Sequence, residues 1–161
     1  MTSLPYLAGY PPELQERAES MLASGALATL LEERYPDRHD VRSNKALYAY
    51  AQELKARYLR TARPLTRVFY EERMHVVENA LGLHVTTTRV QGSKLRNRRE
   101  VRVASVLKDA PPEFLRMVVV HELALMKHAD HTRDFYRLCT YMEPDYHQLE
   151  LDLRLYLTLR E

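Results

Sequence analysis

The sequence is poor in the residues that make tight turns and cross-links. It holds four glycines, eight prolines, one cysteine and no tryptophan in 161 residues. So few turn formers argue against a sandwich of many short strands and for long helices. A single cysteine, Cys139, excludes a disulfide within the chain and points to a reducing, cytoplasmic compartment. No long apolar run is present either. The longest near the N-terminus, Ser20 to Leu31, spans about 18 Å as a helix, short of the roughly 30 Å hydrocarbon layer. The opening MTSLPYLAGYPPE lacks the basic n-region and small-residue cleavage site of a secretory leader. No membrane partner is expected.

Hydrophobic residues make up 45% and charged residues 29%, enough for a folded single domain over 1–161. The net charge of +2 hides an uneven distribution. Between positions 85 and 108, Arg89, Lys94, Arg96, Arg98, Arg99, Arg102 and Lys108 face only Glu100, a local +6. Such a stretch is either a solvated turn or a contact for a phosphate-bearing ligand or nucleic acid.

Pro11-Pro12-Glu13 suits a helix start, because proline's missing N–H costs nothing in the first turn. Apolar residues then recur at helical spacing up to Gly25, and a second helix from Ala26 must stop before Pro36. From Ser43, Leu47, Tyr50, Ala51, Leu54 and Tyr58 share a face, with Pro64 as the expected stop. Residues 65–83 read two ways, with Val68-Phe69 suiting a strand and 71–81 a helix. The β-branched runs 84–90 and 101–107 predict an antiparallel hairpin around the basic connection, a ribbon whose free edge suits an extended peptide. Pro111-Pro112-Glu113 opens another helix. The alternating leucines from Leu149 to Leu159 imitate a strand, yet Asp145 to Gln148 reads as a capping box, so a helix is expected from Tyr146.

Chemistry concentrates in Val118 to His131. A His-Glu pair on a helix is the first half of the H-E-x-x-H zinc motif, in which two histidines one turn apart hold the metal and the glutamate is general base on metal-bound water. His121 and Glu122 fit, but the position one turn on is Leu125. The bland alternative makes His121 a satisfied core histidine and Glu122 a surface residue.

Several ordered pieces extend the pattern: Gly92-Ser93, the strand 101–107, Pro111-Pro112-Glu113, Val119-Val120-His121-Glu122-Leu123, Asp130-His131-Thr132, Phe135-Tyr136 and Pro144-Asp145-Tyr146. Over residues 90–146 this resembles the YgjP-like metallopeptidase domain, a family of small zincin-type hydrolases. The resemblance implies a zincin-like core (64–161) that holds a small antiparallel sheet and the His121-Glu122 helix; the helical N-terminal portion (1–63) lies outside it and is expected to pack on that core as an extension, for an α+β fold overall. It implies Zn2+ or another divalent metal, with His121 and His131 as ligands and Glu122 as the catalytic base. Leu125 stands where the middle ligand belongs, and Lys94 where the family's turn has cysteine. His128 is a substitute ligand if the helix ends near Lys127. Otherwise it faces solvent. His39, His75, His84 and His147 have no matching partners, and Tyr136, Tyr141 and Tyr146 read as core or groove-wall aromatics.

Three functions compete. The first is a zinc hydrolase acting on peptides or another small substrate. The second is a divalent-metal nucleotide phosphoanhydride hydrolase, with Lys94, Arg96, Arg98 and Arg99 clamping the phosphates. The third is a degenerate zincin that binds a partner through the basic ribbon 89–102.

Overall fold

The computed structural model describes residues 4–72 and 99–160. Its N-terminal helices begin and end where the sequence supplies the chemistry. Pro11 caps α1 (Pro12–Ser24), and Gly25, at φ 84°, both ends α1 and precedes α2 (Ala26–Arg34). That left-handed conformation costs any residue with a Cβ roughly 1–2 kcal/mol, which is why glycine stands there. α2 stops at Tyr35, before Pro36. The Ser43 hydroxyl accepts the Ala46 N–H at 3.0 Å and starts α3 (Asn44–Tyr58). α3 ends six residues earlier than Pro64 requires. Leu59 leaves helical geometry at φ −131° because it and Leu65 are both drawn into the core.

The sheet differs from the expected hairpin. Strand β1 (Arg67–Glu71) pairs in parallel with β2 (Glu100–Ala104). Val68 lies opposite Val101 and Tyr70 opposite Val103, so the buried side chains of both strands share one face. Parallel neighbours require a long crossover, and residues 72–99 supply the connection. The run 84–90, expected as a hairpin arm, and nearly all of the expected helix 71–81 lie outside the described residues; Glu71 itself closes β1. β2 is also shorter than 101–107, because the chain turns into a 3-10 helix over Ser105–Asp109.

Three further helices follow. α4 (Pro112–Ala124) opens on Pro111-Pro112, as expected, and buries almost every side chain from Phe114 onward. It packs against α3, β2, α5 (Arg133–Met142) and α6 (Tyr146–Arg160), which is why it is apolar all round. Arg116 ties it to the end of α5, donating to Glu143 at 2.8 Å and to the Met142 carbonyl at 3.1 Å. The alternating leucines do form a helix. α6 is enclosed by α2, α4 and the 3-10 turn Pro5–Leu7, so residues of both parities are buried. The result is a mostly helical α+β fold. Among the described residues, no helix is long and apolar enough to cross a membrane.

Candidate functional site

α4 delivers His121 and Glu122 from its last turn, and both are buried, at 1% and 7% exposure. They leave the helix in different directions. Glu122 turns toward the sheet, where its Oε1 lies 3.5 Å from the Arg102 backbone N–H. His121 turns toward α5 and α6, and its Nδ1 lies 2.7 Å from the Tyr146 hydroxyl.

His131 arrives from the other side. The chain leaves α4 after Ala124, turns through Leu125 to Lys127, and re-enters a helix at Arg133. Thr132 fixes that entry, its hydroxyl accepting the Phe135 N–H at 3.3 Å. The cap brings His131 beside His121, with ring centroids 5.3 Å apart. Phe135 stands edge-on to both imidazoles, at 5.2 and 4.8 Å. Tyr136 and then the exposed His147 continue this aromatic wall beyond His131.

The donor set suits a divalent cation. Two imidazoles on one tetrahedral ion, with nitrogens 2.0–2.1 Å from it, have centroids about 5.2 Å apart, and His121 and His131 match that spacing. Both Nε2 atoms are buried. Leu125, 1% exposed, caps α4 and contributes only an isobutyl group. Among the described residues, no cluster of three His, Cys, Asp or Glu side chains has metal-holding geometry. Among the described residues, the imidazoles brought together here are those of His121 and His131.

The other expected residues fall as follows. α4 ends three residues before Lys127, and the half-buried His128 follows the turn, its N–H donating to the Ala124 carbonyl. The ring contacts of His121 within the described residues run to His131, Phe135 and Tyr146, not to His128. Arg99 is half-buried, and its carbonyl accepts the Thr66 N–H. Lys94, Arg96 and Arg98 lie outside the described residues. Arg102, counted in the basic stretch, spends its guanidinium on Glu71 at 3.2 Å and Glu100 at 4.0 Å. His39 is structural: its Nδ1 accepts the Val41 N–H while Nε2 faces the Leu107 carbonyl at 2.7 Å.

Tyr146, read from the sequence as a core or groove-wall aromatic, is core and also meets His121. It is fully buried at the start of α6, and burial pushes its phenol far above the ordinary value of 10, with Cys139 and Glu150 adding to the effect. Burial pushes the Cys139 thiol up to about 12. Periodicity marks Tyr146 only as core. Its place closing the Pro144-Asp145-Tyr146 stretch was the available signal.

A buried histidine-glutamate pair at a helix end, faced by a second histidine from the turn before the next helix, is an arrangement that suits a metal-dependent hydrolase. The YgjP-like metallopeptidase domain matches residues 6–156, and the chain belongs to that family. The matched span takes in the N-terminal helices and is wider than the resemblance over 90–146. A protein of Escherichia coli (strain K12) named UTP pyrophosphatase is 49% identical over 158 residues, covering 98% of this chain and 95% of the relative. No solved structure matches the chain.

Proposed function

We propose that the chain hydrolyses a phosphoanhydride bond of a nucleoside triphosphate, releasing pyrophosphate. The observation that carries this reading is the 49% identity to a UTP pyrophosphatase across nearly the full length of both chains. Leu125 in the place of the motif's second histidine fits this reading, because a nucleotide brings phosphate oxygens as metal ligands of its own.

In this reading His121 and His131 would hold the divalent cation, which would supply positive charge to stabilise the phosphate oxygens. Glu122, one residue from His121 and shielded from solvent, takes a proton from the attacking water. The water oxygen bonds to the α-phosphorus as the bridging bond to the β-phosphate breaks, and pyrophosphate leaves with the bond's electrons. Lys94, Arg96, Arg98 and Arg99 grip the triphosphate with charge-assisted hydrogen bonds.

The test is pyrophosphate release from UTP by purified protein supplied with Mg2+, Mn2+, Co2+ or Zn2+. Turnover is expected, and Glu122→Gln lowers kcat by roughly 10²–10⁴-fold while bound metal, read by elemental mass spectrometry, is unchanged. Charge reversal of Arg98 and Arg99 raises KM for UTP with kcat little altered. No release with any of the four cations overturns the substrate assignment. Full turnover by the Glu122 variant removes its role as base.

A further inference from the structure

We infer that the outer edge of the aromatic wall, Tyr136 and His147, is the subsite on which the substrate's nucleobase stacks. This rests on reading the substrate as a nucleoside triphosphate, and it places the half of that molecule which the phosphate-binding groups do not touch. Two neighbouring pairs of residues build the wall. Phe135 and Tyr136 stand in the first turn of α5, and Tyr146 and His147 open α6. Successive helical residues are turned by about 100°, so each pair sends one ring inward and one outward. Phe135 and Tyr146 are the inner rings, fully buried and each beside His121. Tyr136, half-buried, and His147, exposed, are the outer rings.

The outer rings lead away from the imidazole pair in two steps. The Tyr136 centroid lies 6.3 Å from that of His131, and the His147 centroid 5.5 Å from that of Tyr136. A nucleotide has the same layout, its base held off from the α-phosphate by one ribose. A triphosphate gripped beside His121 and His131 can therefore lay its base on the part of the wall that solvent reaches. Each outer ring is braced from behind. Tyr136 meets Phe135 at 5.0 Å and Tyr146 at 6.2 Å, and His147 stands edge-on to Tyr146 at 5.4 Å. Rings already held by other rings have little freedom left to lose when a base arrives, which keeps the entropic cost of binding low.

Core packing accounts for the inner pair, since Phe135 and Tyr146 are wholly shielded from solvent. It does not account for the outer one. An exposed imidazole at the start of α6 adds little to stability, so a change at His147 reads binding and not folding. The ligand suited to such a surface is a flat π-system. Every nucleobase has a π-face, so stacking here supplies affinity while leaving the choice of base to groups that meet its edge.

The experiment measures KM for UTP and, on the same proteins, the inhibition constant of inorganic triphosphate, which has the phosphates and no base. His147→Ala is expected to raise KM for UTP by about 5–100-fold with kcat little altered, the range that loss of one base–aromatic stack produces. The inhibition constant of inorganic triphosphate does not follow that rise, and His147→Phe, which restores a flat ring, brings KM back. Tyr136→Leu, which keeps bulk and removes the π-face, moves KM in the same direction as His147→Ala. An unchanged KM in His147→Ala overturns the inference. So does a rise shared equally by UTP and inorganic triphosphate, which marks damage to the phosphate site, or a KM that His147→Phe leaves raised. Should Tyr136→Leu fail to fold, the exposed His147 decides alone. Failure of the substrate reading is distinguishable. The wild type would then release no pyrophosphate from UTP, and the stacking subsite falls with it.

Discussion

Helix α6 takes part in two buried polar clusters, and they are built on different logic. Six residues beyond Tyr146, Asp152 is 1% exposed and surrounded by donors: Gln148 reaches Oδ1 at 3.0 Å, while Arg34 at 2.9 Å and the Tyr35 hydroxyl reach Oδ2. One acceptor faces only groups that donate, so the cluster closes on itself and fastens α2 to α6. The cluster around Tyr146 joins a phenol and two imidazoles, each able to give or take a hydrogen bond. Burial of a carboxylate among donors fixes a fold. Burial of groups that can exchange roles, beside an aromatic wall, is the arrangement proposed above to take a charged guest.

Replacing one member of each cluster separates the two roles. His131→Ala removes one of the proposed ligands and is expected to weaken Zn2+ binding by at least about 100-fold, beyond the range typical of outer-shell losses. Its melting temperature should change little. Asp152→Ala does the reverse. It strands the Tyr35 hydroxyl in the core and costs about 2–3 kcal/mol, seen as a Tm several degrees lower, with Zn2+ affinity unchanged. Isothermal titration with Zn2+ and thermal unfolding on both variants would check this, and a crossed result would merge the two clusters into one.

Leu125 stands one turn from His121, where the zinc motif has its second histidine. Leu125→His places an imidazole one turn from His121 and should tighten Zn2+ binding by roughly tenfold or more. The same substitution should lower UTP turnover, because a third protein ligand competes with substrate phosphate for the open positions. Unchanged affinity would mean that the side chain at 125 does not reach the His121–His131 pair.

Much of this arrangement was legible in the sequence, and the omissions have a common cause. The Pro-Pro-Glu openings at 11 and 111, the break at Gly25 and the helical tail are local signals, and each element lies where its cap or breaker puts it. The approach of His131 to His121 was implied by the family resemblance that the ordered pieces between Val119 and Tyr146 carry. What was not readable depends on partners distant in sequence. β2 pairs with a strand some thirty residues upstream, because Val68 and Tyr70 present the complementary buried face. Nothing in the alternation of 101–107 names that partner. Likewise, Glu122 meets the backbone of Arg102, and Tyr146 meets His121 across twenty-five residues. Periodicity assigns a side chain to the core but does not say which polar atom waits there.

The smallest effect expected tests how far local chemistry alone places the site. Thr132 neither is a proposed ligand nor belongs to either cluster, yet its hydroxyl caps α5 directly after His131. Thr132→Ala should cost about 1 kcal/mol, the usual value of an N-cap, measured by denaturant unfolding. The first turn of α5 also carries Phe135, which stands edge-on to both imidazoles, so fraying there loosens the His131 side of the pair. A few-fold weaker Zn2+ affinity follows, and Thr132→Ser restores both quantities because serine caps equally well. Loss of Zn2+ binding with stability intact would instead place the hydroxyl in the site itself, and the division between scaffold and site would have to be drawn on the other side of Thr132.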